Sequence, residues 1–218
     1  LEERKMPEEY LILVDGNDNP IGLEEKVKCH LPNGKLHRAF TALLLDKNGR
    51  LVLTKRAAEK MLWPGIWDGT VASHPRKAET YVTSAERRMP EELGISCKLD
   101  YLFKFEYHVP YQDVGSENEI CGTMIGIIDD STKFSLIKDE IDEIKWISAH
   151  ELLLELKNNP KIYCPWMLIA LELLDKSEKT MLEKYRFVLS SWIDSNLQKE
   201  LQEAIRTHLP DNKWRLVK

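Results

Sequence analysis

The order of strand-like and helix-like segments constrains the fold of this chain more than any other feature. Six segments combine apolar residues with flanking turn residues and are predicted to be strands: 10–14, 37–46, 50–55, 102–109, 119–128 and 143–147. Three segments have the apolar spacing of helices: 79–93, 149–156 and 165–174. Three predicted strands precede the first helix, and three more lie between the first and second helices. This order lacks the regular alternation of βαβ units. This order predicts an α+β fold with a mixed β-sheet flanked by helices.

Two features refine this prediction. The turn Asp46-Lys47-Asn48-Gly49 separates two apolar runs and predicts a β-hairpin. Beyond residue 176, the segments 177–192 and 196–208 are amphipathic and predict helices that pack on the domain or against a partner chain. We therefore divide the chain into a domain of residues 1–175 and a helical C-terminal extension of residues 176–218.

Composition excludes several classes of protein. No apolar run approaches the ~18 residues that a membrane span needs. The charged start at residues 1–5 has no apolar segment behind it, so we expect no secretory signal. The four cysteines have neither the spacing of a disulfide framework nor that of a zinc ribbon: Cys29, Cys97, Cys121 and Cys164. We expect a cytoplasmic protein with reduced thiols and no membrane partner.

Charge is distributed unevenly along the 218 residues. The chain carries a net charge of −5, but residues 26–77 contain 11 Lys and Arg against three acidic residues, a net charge of +8. A focused basic region in an acidic protein indicates a site for a small anion. Nucleic acid is not expected as a partner, because it requires an extended basic surface.

Residues 73–95 contain a charged helix face. Arg88, Glu91 and Glu92 lie on or near one side, because residues three and four apart are neighbours on a helix. The two carboxylates can hold a divalent metal bridged to a diphosphate, or the face can be solvated. The segment resembles the Nudix box, G-x5-E-x7-R-E-U-x-E-E-x-G-U. Ser73 replaces its first glycine, and Arg88 replaces a glutamate that holds metal in Nudix hydrolases.

Further short motifs occur in the order and spacing of one family. They are Lys26–His30, Leu36–Phe40, Trp63–Trp67, Ser73–Pro75, Glu117–Cys121 and Pro165–Met167. Together they resemble the type I isopentenyl diphosphate isomerases of isoprenoid biosynthesis, which have the Nudix fold, over about residues 8–175. The resemblance implies that residues 1–175 form a Nudix-like isomerase domain.

Three histidines and two glutamates of these motifs form a candidate metal site. Glu117 and Glu119 point to the same side of a strand. They would repel each other unless a metal or a proton lay between them. Imidazole and carboxylate donors suit Mn²⁺, Mg²⁺ or Zn²⁺. The resemblance implies these metal ligands: His30, His37, His74, Glu117 and Glu119.

The resemblance also implies a site for a small-molecule prenyl diphosphate. Cationic side chains would bind the diphosphate oxygens: Lys26, Arg56, Lys60 and Arg88. Glu92 would hold a second Mg²⁺ that bridges the diphosphate. The family's reaction moves a double bond through a tertiary carbocation, which requires acid–base groups beside an aromatic pocket. Glu119 and Tyr107 would transfer protons. Trp166 would face the carbocation, and Trp67 could line the same pocket.

One position departs from the family. Ala72 stands where the resemblance implies a catalytic cysteine, and alanine cannot transfer a proton. The alanine can be an engineered substitution, or it can mark a natural variant that uses Ser73, Cys164 or water. As a third possibility, the alanine marks an isomerase-like Nudix protein with a different reaction on a prenyl or nucleotide diphosphate.

We therefore expect an isomerase of isopentenyl and dimethylallyl diphosphate. The alternatives are a Nudix-type pyrophosphohydrolase of a prenyl or nucleoside diphosphate and a non-catalytic diphosphate-binding protein. The sequence leaves open whether the chain is a monomer or a homodimer.

Overall fold

A computed structural model describes residues 9–211 and 213–218, so the charged start at residues 1–5 lies outside the described residues. The strands are β1 (Tyr10–Val14), β2 (Pro20–Glu25), β3 (His37–Leu45), β4 (Leu51–Arg56), β5 (Trp67–Asp68), β6 (Val71–Ser73), β7 (Asp100–Tyr111), β8 (Gly115–Ile127), β9 (Ile141–Ile147) and β10 (Trp214–Val217). The α-helices are α1 (Lys26–His30), α2 (Tyr81–Leu93), α3 (Ala149–Asn158), α4 (Pro165–Glu172), α5 (Lys179–Lys184), α6 (Arg186–Leu189) and α7 (Ser195–His208).

The strands form one mixed sheet with β3 at its centre. The main path runs β10-β7-β8-β3-β1-β2, while β4, β5, β6 and β9 join it through β3 and β4. β3 runs parallel to β8 over nine residue pairs and antiparallel to its other partners. The nearly continuous apolar run of β3 fits this position, because core clusters on both faces of the sheet bury its alternate side chains. The α+β fold with a mixed sheet and flanking helices is confirmed.

The predicted hairpin after β3 forms only at its turn. Asp46 accepts hydrogen bonds from the backbone of Asn48 and Arg50, which closes the turn. Leu45 and Leu51 are then the paired residues of β3 and β4. Beyond them β4 leaves β3 and pairs with β9, so the predicted hairpin is confirmed at its turn and first residue pair but extends no further.

Helices cover both faces of the sheet. α2 packs on one face through Ala85, Met89 and Leu93. Its predicted boundaries are nearly right: Thr80 caps its start, and Gly94 ends it in the left-handed conformation. α4 and α7 pack on the other face, which also carries the candidate site residues of β3 and β8.

The C-terminal region is helical, as predicted, but it also adds a strand. The segment predicted as one helix at 177–192 contains two short helices, α5 and α6, that meet at Tyr185, whose hydroxyl donates a hydrogen bond to Asp100. β10, which the sequence did not predict, pairs with β7 at the sheet edge. Leu201 of α7 lies in the same core as the sheet residues.

Two expectations from composition can be compared with the structure. The four cysteines are unpaired. In the described part of the chain, no helix is both long enough and apolar enough to cross a membrane.

Candidate active site

Five buried side chains converge beside the centre of the sheet. They are the five predicted metal ligands: His30, His37, His74, Glu117 and Glu119. Each offers one ligand atom, and these atoms all lie within 4.8 Å of one another. Strand alternation explains part of the convergence, because Glu117 and Glu119 share one side of β8 and Glu119 pairs directly with His37. α1 and the segment after β6 supply the other two histidines.

The backbone fixes the orientation of two imidazole rings. His30 Nδ1 lies 2.7 Å from the carbonyl oxygen of Lys26, and His37 Nδ1 lies 2.7 Å from that of Lys35. A carbonyl oxygen only accepts hydrogen bonds, so each Nδ1 carries a proton and donates it. In the neutral rings each Nε2 then presents a lone pair toward the glutamates.

The inward-facing atoms suit a cation. His30 Nε2 lies 3.0 Å from Glu117 Oε2, and His37 Nε2 lies 3.3 Å from Glu119 Oε1. Yet His37 Nε2 and Glu117 Oε2 are fully buried and have no hydrogen-bond partner within the described residues. Buried polar atoms are rarely left unpaired. A divalent metal would accept electron pairs from these atoms, so the donor set fits a metal ion.

Burial and neighbouring charges shift the pKa values of the side chains in this cluster. Burial opposes a charged ring at His30, but the Glu117 carboxylate outweighs it and raises the pKa of His30 to about 9. Burial and the neighbouring His37 and His30 rings lower the pKa of His74. Burial also opposes ionisation of Glu119, but the neighbouring His37 ring outweighs it and lowers the pKa of that carboxyl. A metal ion would compete with the proton on His30, because ionised carboxylates and neutral imidazoles are the forms that bind metal.

Tyr107 contacts the second oxygen of Glu119. Its hydroxyl donates a hydrogen bond to Glu119 Oε2 over 2.5 Å. The two residues are direct partners across β7 and β8. Burial and then the Glu119 charge raise the pKa of Tyr107 well above its usual value, so the phenol stays protonated. The pair therefore joins a proton donor to a carboxylate beside the histidines.

A cavity opens above this cluster, and all four predicted diphosphate ligands line it. Its wall contains cationic, aromatic and small residues, among them Lys26, Arg56, Lys60, Arg88, Tyr107, Trp166, Ala72, Ser73 and Cys121. Cationic groups that face one cavity create a positive potential that attracts an anion. The geometry therefore joins an anion site to the His/Glu cluster.

Each of these cations has a carboxylate partner. Lys26 Nζ lies 2.8 Å from Glu9, and Arg56 Nη1 lies 3.2 Å from Asp68. Glu140 lines the cavity and contacts both Lys60 and Arg88. Glu140 was not predicted, because it lies in a loop 80 residues from Lys60 and no local pattern marks that contact.

Glu92 lies beside Arg88 and outside the five-residue cluster. Arg88 Nε donates a hydrogen bond to Glu92 Oε1 over 2.7 Å, and Arg88 Nη1 contacts Glu91 over 3.0 Å. Burial raises the pKa of Glu92, while the Arg88 charge opposes that shift. The helix face predicted from spacing therefore exists, with the arginine between its two carboxylates.

The two predicted aromatic residues differ in position. Trp166 lines the cavity, and its ring centroid lies 6.3 Å from that of Tyr107. Trp67 is not among the described residues that line the cavity, so the expectation that it shares the pocket needs correction. Trp67 is partly buried against the core cluster that also contains Trp166, and it precedes the buried Asp68 on the short strand β5. The ammonium of Lys145 lies 4.5 Å from the centroid of the Trp67 ring.

Position 72 lies in the cavity wall. Ala72 on β6 is the partner of Thr41 on β3. Of the candidate substitutes for the missing cysteine, Ser73 lines the cavity, whereas Cys164 is buried in the core beneath it. Cys121 also lines the cavity and was missed. Its position two residues after Glu119 on a strand was the available signal.

Comparison with known proteins agrees with this geometry. The NUDIX domain family matches residues 35–167. An Isopentenyl-diphosphate Delta-isomerase of Haloarcula marismortui is 39% identical over 170 residues, which cover 74% of this chain and 88% of that protein. An Isopentenyl-diphosphate Delta-isomerase 2 of Photorhabdus laumondii is 37% identical over 159 residues, which cover 73% of this chain and 88% of that protein.

A solved structure supports the fold. The crystal structure of a Deinococcus radiodurans protein matches with a TM-score of 0.56 at 20% identity, covering 69% of this chain and 90% of that one. At this identity the likeness concerns the fold alone. The sequence matches confirm the resemblance inferred from the motifs. The chain belongs to the Nudix family, and within it to the isopentenyl-diphosphate Delta-isomerases.

Proposed function

We propose that this chain interconverts isopentenyl diphosphate and dimethylallyl diphosphate. One observation carries the proposal: a buried three-histidine, two-glutamate cluster adjoins a cavity lined by four cations and an indole. The cations suit the diphosphate end of the substrate. The buried proton donor and carboxylate suit an allylic proton shift at the other end.

The reaction requires a proton to be added at the terminal alkene carbon and another to be removed two carbons away. Tyr107 and Glu119 form one acid–base pair, because the hydroxyl and carboxylate already share a hydrogen bond. Protonation of the alkene produces a tertiary carbocation. The π face of Trp166 in the cavity wall stabilises that charge, since an indole attracts cations.

Lys26, Arg56, Lys60 and Arg88 hold the diphosphate in this proposal. The contacts of Lys60 and Arg88 with the Glu140 carboxylate support it, and an entering diphosphate competes with Glu140 for both side chains. Glu92 would hold a second Mg²⁺, which would supply positive charge beside the diphosphate, and Arg88 contacts the Glu92 carboxylate.

His30, His37, His74, Glu117 and Glu119 hold Mg²⁺, Mn²⁺ or Zn²⁺. A bound divalent ion stabilises negative charge on a neighbouring carboxylate and so tunes the proton affinity of Glu119. The buried unpaired atoms His37 Nε2 and Glu117 Oε2 support this role.

Ala72 leaves the second proton transfer to another group. Ser73 and Cys121 are side chains of the cavity wall that carry an exchangeable proton, and water is the remaining carrier. Burial and the nearby Glu119 charge raise the pKa of Cys121, which keeps its thiol protonated. A direct role of Cys164 in this proton transfer has less support, because Cys164 is buried in the core.

Hydrolysis of the diphosphate has weaker support. A Nudix hydrolase needs metal-binding carboxylates on α2, but Arg88 occupies one such position and pairs with Glu91 and Glu92. Hydrolysis also has no need for three converging histidines.

Product analysis tests the proposal. The purified protein, with Mg²⁺ and isopentenyl diphosphate, should yield dimethylallyl diphosphate, followed by ¹H and ³¹P NMR. Glu119→Gln should abolish the conversion, whereas Glu143→Gln should not, because Glu143 is exposed and pairs with Lys55 at the surface. Release of inorganic phosphate or pyrophosphate, or an unchanged substrate, would contradict the isomerase proposal.

A further inference from the structure

Asp68 is a buried carboxylate behind the cavity wall. It contacts both an aromatic residue and a cationic residue of that wall. Trp166 Nε1 donates a hydrogen bond to Asp68 Oδ1 over 2.7 Å. Arg56 Nη1 donates to Asp68 Oδ2 over 3.2 Å. The backbone N–H of Gly69 also donates to Oδ1 over 2.7 Å. Asp68 is only 2% exposed and is not among the described residues that line the cavity, so substrate meets the two partners and not the carboxylate.

The arrangement poses an electrostatic problem for a cationic intermediate. The guanidinium carbon of Arg56 lies 5.3 Å from the centroid of the Trp166 ring, the same ring that faces the carbocation in the proposed function. Two positive charges near one indole repel each other, and the repulsion is strong where water is excluded. A negative charge must therefore remain beside Arg56 when the carbocation forms.

Asp68 is the carboxylate whose position lets it remain beside Arg56 when substrate fills the cavity. Glu140 lines the cavity and is exposed to displacement by a diphosphate. Asp68 lies behind the wall, fixed by the indole and by the backbone of Gly69. Burial raises the pKa of Asp68, and the Arg56 charge is the largest influence that opposes this rise. Trp166, Arg56 and Gly69 all donate hydrogen bonds to the carboxylate, and an ionised carboxylate can only accept them.

We propose that Asp68 is a positioning residue that sets the orientation and electron density of the Trp166 indole and neutralises Arg56 beside the carbocation. This inference rests on the proposed isomerase function. An indole whose N–H donates to an anion has a more electron-rich ring and holds a cation more strongly. Arg56 keeps its place without Asp68, because it also donates to the carbonyl oxygens of Leu62 and Trp63.

This separation of roles predicts a specific kinetic result. Asp68→Asn preserves the side-chain shape and one oxygen for the indole but removes the charge. We expect kcat for isopentenyl diphosphate to fall about 100-fold, in the range seen when a preorganised electrostatic group is lost. We expect KM to change less than about threefold, because Arg56 and the other cations still bind the diphosphate. A purely structural role would change KM and kcat together.

A spectroscopic measurement detects the contact itself. In protein labelled with ¹⁵N-tryptophan, the Trp166 indole signal is identified by its loss in Trp166→Phe among the six tryptophans. We expect this N–H proton to resonate downfield and exchange slowly in the wild type, and to move upfield in Asp68→Asn. Asp46→Asn is the matched control. Asp46 is an equally buried aspartate that holds a turn and Arg50, so its variant should leave the indole signal and kcat unchanged.

The outcomes separate this inference from the proposed function. Suppose that the wild type is active. If the kcat of Asp68→Asn is then within about threefold of the wild-type value, or if the indole signal does not move, only the role of Asp68 is overturned. A wild type that makes no dimethylallyl diphosphate overturns the proposed function and this role with it. If Asp68→Asn does not fold, Asp68→Ser and the wild-type indole shift and exchange rate decide the matter. A Trp166 N–H that exchanges as fast as that of a solvent-exposed indole contradicts the inference.

Discussion

Tyr107 and Glu119 face each other directly across β7 and β8, and the tyrosine hydroxyl donates a hydrogen bond to Glu119 Oε2. The other oxygen of the same carboxylate contacts His37 and His74. One side chain therefore links the His/Glu cluster to the proton donor that faces the cavity. This link is the structural basis for assigning Glu119 to both metal binding and proton transfer.

Tyr107→Phe tests this link. The substitution removes the hydroxyl and keeps the ring, so the core packing of Tyr107 is preserved. We expect kcat to fall by about 100-fold, since one general acid–base group contributes about 10²–10⁴ in rate. Steady-state kinetics with isopentenyl diphosphate measures the effect. Tyr101→Phe, on the exposed side of β7, serves as the control. Equal kcat values for wild type and Tyr107→Phe would rule out a role for the hydroxyl.

Metal binding should depend on Glu117. We expect Glu117→Gln to lose stoichiometric Mn²⁺ or Zn²⁺, because the amide is a weaker ligand than the buried carboxylate it replaces. Elemental analysis measures bound metal, and thermal unfolding measures its effect on Tm. Metal should raise the Tm of the wild type, because a ligand that binds only the folded state stabilises it. The same rise in Glu117→Gln as in the wild type would contradict the assignment.

Position 72 can be tested by restoring the thiol. Ala72 lies in the cavity wall, so Ala72→Cys adds a proton carrier at that point. We expect kcat to rise at least about tenfold, below the full value of a general acid–base group. Ala72→Ser has a similar size without the acidity of a thiol and should give a smaller gain. A cysteine variant no faster than the wild type would show that another group already carries this proton.

The C-terminal helices should be needed for stability. Leu201 of α7 is fully buried in the core shared with the sheet. We expect Leu201→Ala to lower the free energy of unfolding by about 2–5 kcal/mol, because it leaves a cavity. Phe187→Ala, at a side chain that is 62% exposed, should change it far less. Urea denaturation compares the two variants. Similar midpoints would mean that α7 contributes little to the core.

Local patterns predicted most of the sheet, whereas the ligand set of the metal cluster came from the family resemblance. Glu117 and Glu119 could be assigned to one face because a strand alternates at every residue. α2 could be bounded because Gly94 accepts a left-handed conformation. These features depend on neighbours in the sequence, which a single chain reveals.

Other features depend on distant partners. Asp68 binds Trp166 across 98 residues, and Glu140 contacts Lys60 across 80, so no local pattern reveals either pair. β10 was missed because four residues, of which only Val217 is buried, have no strong strand pattern until they pair with the edge of β7. The position of Trp67 relative to the cavity depends on the pairing of the two-residue strand β5 with β4, which no local pattern reveals.

The most direct test of the central claim follows solvent hydrogen into the product. In D₂O with Mg²⁺, the wild-type protein should convert isopentenyl diphosphate to dimethylallyl diphosphate that carries deuterium in a methyl group, detected by ¹H and ²H NMR. The deuterium marks protonation of the terminal alkene carbon by a group that exchanges with solvent, as Tyr107 and Glu119 require. Product formed without deuterium would contradict the proton-transfer account. Release of diphosphate without isomerisation would contradict the proposed function as a whole.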